Sequence, residues 1–519
     1  MKANYLDISL ISPFNNNLGY FKNFVPRSVP IGITLLYSYL SKHGYNAEVI
    51  DGDVLNINRE FLSEKMKMMK KPKIFGISAM TTNIDNAYRI AMLIKDIDKE
   101  SVIIFGGIHP TAMPDEVISK KYIDFLVVGE GERALLSLVK HINGGNSFKD
   151  IKNIMYKSNG EIIQNNKYSD VFDINELPLF PYHIFNKKHY DLGFILSSQG
   201  CPFNCIFCSQ RLITKRIYRS YSIEKVLSEL DYLINQINQK NITFFDDYFL
   251  ADKNRVFELC RIIRKKKFHN KCSFGVQTRG DSINSEILVE LKQSGFDSLM
   301  LGFETSSDRL MKFINKSETV DDNLRASRLA KKYGMTVEGT FIFGICEEKY
   351  EDRINSFKIA RKFTNRARFN NIVPYPGTKL FDIVRNDNKL NIVGEWKNFS
   401  SAGAVSSSPF ERYQPPYYPD GMKANDLVGE VFLANLLFYL NLSNAKKLFN
   451  LKKEGSGKWF EIPKSQLLNP RTWFFIFMLI INVFLKAIYF LIISRECRKF
   501  FIEAFSDNGL YTQEEKYDK

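Results

Sequence analysis

Cysteine is scarce in this chain: seven in 519 residues, four of them (Cys260, Cys272, Cys346 and Cys497) scattered singly. That pattern excludes a disulfide framework and points to a reducing, cytoplasmic compartment. The opening residues, Met-Lys-Ala-Asn-Tyr-Leu-Asp, lack the apolar core and small-residue cleavage site of a secretory signal. Acidic residues fall short of basic ones, 57 against 72, leaving a formal charge of +15. The excess admits a nucleic acid or an anionic membrane surface as partner, or a merely Lys- and Asn-rich composition; no nucleic-acid partner is expected. Strongly apolar runs are missing until the C-terminal region. With 45% hydrophobic and 25% charged residues, the chain is long enough for two or three ordinary cored domains.

The three remaining cysteines stand together as Cys201-Pro-Phe-Asn-Cys205-Ile-Phe-Cys208, spaced C-x3-C-x2-C. Thiolates are soft ligands that favour an iron–sulfur cluster or zinc over hard cations. Zinc calls for a fourth ligand at a typical spacing, and none follows nearby. A [4Fe–4S] cluster held by three cysteines keeps one iron without a protein ligand. That suits binding and reductive cleavage of a small molecule better than electron carriage, which usually uses four cysteines.

Residues 1–145 alternate apolar strand candidates (Asp7–Ser12, Ala47–Asp51, Ile74–Ser78, Val102–Phe105, Phe125–Val128) with amphipathic helices such as Ile31–Lys42 and Ile84–Ile97. Repeating βα units predict a parallel sheet covered on both faces, with ligands outside the strands' carboxyl ends. Small and polar residues stand at those ends, among them Ser78, Gly106 and Gly107, and they also suit plain βα turns. Residues 146–190, rich in Lys, Asn and Asp and punctuated by Leu177-Pro-Leu-Phe-Pro181, read as a connector.

Residues 191–390 alternate again, with strand candidates Phe194–Ser197, Ile242–Asp246, Ser273–Gln277, Ser298–Phe303, Val337–Phe343 and Phe369–Val373. The cysteine run follows the first. Helical patterns cover Ile223–Gln236 and Arg255–Lys265. Residues 391–519 form a third, mainly helical and hydrophobic region. Gln414-Pro-Pro-Tyr-Tyr-Pro419 and Ser406-Ser-Ser-Pro409 suggest a linker or lid. Leu427–Leu440 is apolar, and Trp473–Ile493 more so, interrupted only by Asn482 and Lys486 on one helix face. About 20 apolar residues would span a bilayer, but a lysine at its middle costs roughly 2.5–3.5 kcal/mol. Basic residues flank both ends: Lys458, Lys464 and Arg471 before, Arg495, Arg498 and Lys499 after. Docking along an anionic inner leaflet therefore fits better than a span or a buried core helix.

The cysteine run, with Phe207 before its last cysteine and the context Ser197-Ser-Gln-Gly-Cys201 and Tyr218-Arg219, resembles the radical S-adenosylmethionine (SAM) superfamily. Pro30-Ile-Gly32, Val49-Ile-Asp51, Gly76-Ile-Ser78, Gly106-Gly-Ile-His109 and Val128-Gly-Glu-Gly-Glu132 resemble the cobalamin-binding domain of one large subgroup. The resemblance covers residues 1–390. It implies a Rossmann-like, flavodoxin-type domain, then a partial (β/α)6 barrel. It also implies a [4Fe–4S] cluster, SAM and cobalamin as cofactors, with an external flavodoxin- or ferredoxin-type electron donor. Cobalamin domains that ligate cobalt by histidine carry Asp-x-His-x-x-Gly, and neither His43 nor His109 stands in that context.

Within the resemblance, Asp246 and Asp247 would face the SAM ammonium, Gln277 and Arg279 its carboxylate side, and Glu304 the ribose. Gly344 and Glu347 would lie beside the adenine, although Cys346 stands where proline is common. Each of these residues also has an ordinary explanation as a cap or surface pair. No catalytic acid or base is singled out. The implied activity is methylation of an unactivated carbon, and the apolar C-terminal region points to a lipophilic small-molecule substrate. Two alternatives remain: radical cyclisation or oxidation, as in protoporphyrin-ester cyclases of the subgroup, and a membrane-tethered sensor that keeps the cluster without turnover.

Overall fold

A computed structural model describes residues 5–15, 27–167, 171–391, 396–407, 413–440 and 470–504. They fall into two compact units. One comprises the chain as far as Arg255 together with Pro374–Ser400; the other comprises Val256–Val373 and the residues beyond Ser400.

The first unit is built on a seven-stranded sheet. Its strands are Ile8–Ser12 (β1), Ala47–Asp51 (β2), Ile74–Ser78 (β3), Val102–Gly106 (β4), Phe125–Val127 (β5), Ile154–Ser158 (β6) and Glu161–Gln164 (β7), in the order β2-β1-β3-β4-β5-β6-β7. The first five pair in parallel. Their order, 2-1-3-4-5, is the flavodoxin-type winding, with its reversal between β1 and β3. Helices Ile31–Lys42 (α1), Arg59–Lys67 (α2), Ile84–Ile97 (α3) and Glu132–Gly144 (α4) join the strands. Strand side chains are buried on both sheet faces: Ile11, Phe75, Ile77, Ile103 and Phe105 pack on one side, and Ile8, Leu10, Ile74 and Ile104 on the other. The stretch expected as a connector supplies the antiparallel pair β6–β7, which closes that edge of the sheet. Its Ser158-Asn-Gly-Glu161 turn is a strong hairpin signal that the polar composition obscures.

Phe194–Ile195 (β8) and Asn241–Phe244 (β9) pair in parallel in the same unit. Helix Ile223–Asp231 (α5) lies between them and widens into a π-helical turn over Tyr232–Gln236, so the pattern read as one helix changes its winding near the end. In the second unit Ser273–Thr278 (β10), Phe296–Glu304 (β11), Thr336–Phe343 (β12) and Arg366–Asn371 (β13) run parallel and in sequence order. Helices Ser285–Gln293 (α6), Val320–Lys332 (α7) and Tyr350–Phe363 (α8) connect them. Stacked Phe303, Phe341 and Phe369 form the spine of this core, with ring centroids 5.1 and 5.2 Å apart. The C-terminal helices are Ala424–Leu440 (α9), Pro470–Ile493 (α10) and Arg495–Glu503 (α11). Lys458, Lys464, Ser408 and Pro409 lie outside the described residues.

Candidate functional site

The cysteine run leaves β8 as an irregular stretch whose stem is clamped by polar groups. Asp246, just past β9, is only 1% exposed. Its carboxylate accepts from the Ser197 N–H at 2.7 Å, the Ser197 hydroxyl at 2.5 Å and the Ser198 hydroxyl at 2.7 Å. Burial pushes its pKa up, and these hydrogen bonds pull it back. Asp247 accepts from the Gly200 N–H at 2.7 Å, immediately before Cys201. Gly200 has φ +88°, and a Cβ there would lie 2.0 Å from the Ile217 carbonyl oxygen, so glycine is required. Ser198–Gln199 pairs antiparallel with Arg219–Ser220, and the Arg255 guanidinium donates to the Ser197 and Tyr221 carbonyls at 2.8 and 2.9 Å. Both ends of the loop are thus tied together before any metal is considered.

Inside the loop the Cys208 N–H donates to the Cys205 carbonyl at 3.2 Å, and the Ile206 carbonyl accepts from the Leu380 N–H at 3.0 Å. All three cysteines, and Phe207 beside them, are partly exposed, and the thiols are free of disulfides. Among the described residues no three His, Cys, Asp or Glu side chains converge as one metal ion requires. Three thiolates that each take a different iron of a cubane have no need to converge, so the donor set fits a cluster and lacks the geometry of a mononuclear zinc site. Burial pushes the Cys208 thiol up, so metal loading must expel a proton.

At the carboxyl ends of the first sheet, Ser78 and Gly106–Gly107 lie side by side, with the Ala79 N–H donating to the Gly106 carbonyl at 2.9 Å. Gly107 has φ +101°, and a Cβ there would meet the Ala79 carbonyl at 2.7 Å. Its glycine is therefore explained by backbone packing. Gly106 has room, its nearest neighbour being Val127 at 3.8 Å. His109 is fully buried, its ring nitrogens 3.1 Å from Thr81 and 3.3 Å from Glu116, and so serves the core. His43 and His141 each place Nδ1 on a carbonyl of their own helix, at 2.8 and 2.7 Å.

A cavity of about 190 Å³ opens past β5, lined by Thr111, Gly129, Glu130, Glu132, Arg133 and Lys215 among others. Glu130 pairs with Arg219. Glu132 has a buried Oε2 without a hydrogen-bond partner, and burial pushes its carboxyl up to about 7. Gly129 has φ +88° and open space where a Cβ would stand. An orphaned carboxyl oxygen beside an open glycine suits a polar arm of a bound group. A larger depression of about 590 Å³ in the second unit, lined by helix side chains from Phe257 to Glu290, holds none of the expected site residues.

The second unit carries the other expected residues. Arg279 is 7% exposed and its guanidinium is spent internally, donating to the Lys316 and Ser317 carbonyls at 2.7 and 2.9 Å and to Asp281 at 2.7 Å. Glu304, at φ +58°, pairs with buried Lys316. Lys316 and Arg279 both reach Glu318, at 3.6 and 3.5 Å, so Glu304 and Arg279 belong to one buried charge network. Asp246 likewise has both oxygens bonded within the chain. Gln277 is exposed at the end of β10.

Glu347, at φ +65°, is a surface residue with its side chain 68% exposed. Its neighbour Glu348 is the buried one, closing the loop by accepting from the Gly344 N–H at 2.5 Å. Burial pushes the Glu348 carboxyl up to about 8 despite Arg353 at 3.7 Å, and Arg353 donates to buried Glu430 at 2.5 Å. Gly344 has φ +89°, and a Cβ there would stand 2.9 Å from a Leu427 methyl. Sequence reading missed Arg255, Glu132, Lys316, Glu318 and Glu348. Only Glu132 and Glu348 left a signal, as the last residue of the quoted Val128–Glu132 run and as the neighbour of Glu347.

Two family models match: the radical SAM superfamily over residues 195–360 and the B12 binding domain over residues 19–139. An uncharacterized methyltransferase of Pyrococcus horikoshii is 30% identical over 385 residues, covering 72% of this chain and 82% of the relative. The anaerobic magnesium-protoporphyrin IX monomethyl ester cyclase of Rubrivivax gelatinosus is 26% identical over 446 residues, 82% of this chain and 76% of the relative. Among solved structures, the radical SAM methyltransferase TsrM from Kitasatospora setae, with cobalamin and a [4Fe–4S] cluster bound, superposes with TM-score 0.66 at 16% identity over 83% of this chain and 91% of that one. The cobalamin-dependent radical enzyme OxsB gives TM-score 0.64 at 16% identity, covering 95% and 74%.

Proposed function

Because the chain belongs to the radical SAM superfamily and carries its B12-binding domain, we propose that it cleaves SAM at a [4Fe–4S] cluster on Cys201, Cys205 and Cys208 and methylates an unactivated carbon of a small molecule with the help of cobalamin. When bound, the cluster and cobalamin supply the reductive cleavage of SAM and the delivery of a methyl group. The chain's own residues hold and shield. Asp246, Asp247 and Arg255 fix the backbone on either side of the cysteines, so that three thiolates are presented together. In this reading Gln277, exposed at its strand end, is a SAM-side residue, and Arg279, Lys316 and Glu318 hold the adjoining backbone and Glu304 in place.

For cobalamin, the cavity beside Gly129 offers Glu132 and Lys215 to a polar arm, and His109, buried against Thr81 and Glu116, is no cobalt ligand. Ser78 and Gly107 shape the neighbouring strand ends. The observation that carries the reading is the clamped, disulfide-free cysteine loop in the same compact unit as a flavodoxin-type sheet with an open, polar carboxyl end. In this reading the substrate is lipophilic, the electron donor is a flavodoxin- or ferredoxin-type protein, and the enzyme works at the inner face of a membrane.

The cyclase relative favours a second outcome, ring formation without methyl transfer. Mass spectrometry after anaerobic incubation of reconstituted chain with SAM, cobalamin, reductant and a lipid extract separates the two. 5′-Deoxyadenosine with S-adenosylhomocysteine supports methylation. Deoxyadenosine alone favours cyclisation, oxidation or uncoupled cleavage, and the absence of both products leaves the catalytic reading unsupported and favours a binding protein.

A further inference from the structure

Near the end of the second unit, helix α10 buries a lysine beside Ala487 and Phe490 while it exposes a row of large apolar side chains. Along α10 the buried positions include Lys486, 4% exposed, whose ammonium donates to the Ser407 carbonyl at 2.7 Å and hydroxyl at 3.0 Å and lies 5.0 Å over the Phe432 ring. Phe490, one turn on, packs against Phe432 and beneath Gly429 of α9. The outward positions carry Phe477, Ile480, Phe484, Ile488 and Ile492, with Phe484 64% and Ile492 70% exposed. A helix on a water-soluble core does the reverse, turning its stripe of apolar residues inward. A continuous row of large apolar side chains on a surface marks an interaction site.

The occupant of that face is indicated by what adjoins it. The chain bends by 113° into α11, which exposes Phe501 and Ile502 alongside Arg495, Arg498 and Lys499. Arg498 also covers the last carbonyls of α10, at 2.8 and 2.9 Å, which keeps its charge at the bend. Cations bordering an apolar face match anionic headgroups above acyl chains. Among the described residues no single helix is long and apolar enough to cross a membrane. The one ammonium in the middle of α10 is bonded to its own protein, so the outward face carries no charge into lipid.

We propose that α10 and α11 lie in the plane of one leaflet of an anionic bilayer, with the Phe477–Ile492 face below the headgroups and Arg495, Arg498 and Lys499 at the phosphates. The inference rests on the proposed membrane location and not on the proposed chemistry, because vesicle binding is read without turnover.

The test is flotation of the purified full chain with vesicles of phosphatidylcholine alone or of equal parts phosphatidylcholine and phosphatidylglycerol. The expected result is binding to the anionic vesicles only, weakened by salt, and reduced by about tenfold or more in Phe484→Ser/Ile492→Ser, whose unchanged circular dichroism shows that it folds. Lys486→Leu should bind equally well and melt at a lower temperature. Tighter binding by Lys486→Leu would mean that the lysine faces lipid in a spanning helix, and would overturn the in-plane arrangement. Failure of the unaltered chain to float would overturn the proposal. So would a lipid-free dimer that Phe484→Ser/Ile492→Ser disperses, since a second copy would then cover this face.

Discussion

The stem of the cysteine loop and the strand ends of the second unit solve the same problem in opposite ways. Around the cysteines, buried charge is spent on backbone: Asp246 and Asp247 accept from N–H groups and hydroxyls, and Arg255 donates to two carbonyls. In the second unit the buried carboxylates face cations instead, Glu304 with Lys316 and Glu318 with Lys316 and Arg279, although Arg279 too donates to two backbone carbonyls. The first arrangement fixes the course of a loop without regular structure. The second ties the loop residues Lys316 and Glu318 to the strand end at Glu304 and to Arg279 just past β10. A carboxylate at a strand end is therefore no guide by itself to ligand binding; what matters is whether its oxygens are already in use.

The comparison can be broken most completely at the loop itself. Cys205→Ala should abolish the iron–sulfur absorption and 5′-deoxyadenosine formation while leaving the thermal unfolding of the metal-free chain nearly unchanged. Lys316→Met should cost roughly 3–5 kcal/mol in urea unfolding, because two buried carboxylates lose their shared cation; iron content should stay normal. Asp246→Ala should cost roughly 3 kcal/mol, by stranding an amide, two hydroxyls and the Arg255 charge. Unlike the Lys316 variant, it should lower the iron retained after reconstitution.

Glu348→Gln sharpens the contrast by pH. Burial raises the native Glu348 carboxyl to about 8, so the folded state holds a proton that the unfolded chain gives up at ordinary glutamate pH. Stability is thus greatest on the acid side of the window and falls as pH rises from about 5 to about 8. The variant should lose less of its melting temperature across that window. Glu347→Gln, at an exposed side chain, should change stability by no more than about 0.5 kcal/mol and leave SAM binding as it was.

Much of the fold was legible because it is written in local pattern. Ala47–Asp51, Ile74–Ser78, Ile31–Lys42 and Ile84–Ile97 are observed with the expected bounds, since apolar runs between turn residues need no partner to be recognised. The β6–β7 hairpin was masked by polar composition, its Glu161–Gln164 strand being largely exposed. The cysteine triad was legible from spacing alone. The state of its surroundings was not, because Asp246 meets Ser197 across 49 positions and Arg353 meets Glu430 across 77. Nothing local distinguishes a carboxylate that awaits a ligand from one that is already satisfied. Lys486 illustrates the same limit. A lysine in an apolar run looked like a cost to membrane insertion, and it proves to be bonded to Ser407 on the protein side of the helix.

The grip of Arg255 on Ser197 and Tyr221 has a bearing on how the enzyme is made. One guanidinium draws the two flanks of the cysteine segment together like the neck of a purse. A zinc finger, by contrast, is unfolded until its ion arrives. Here the two flanks are joined by bonds among Arg255, Ser197 and Tyr221 in which no cysteine takes part, so this part of the socket draws on no metal ligand.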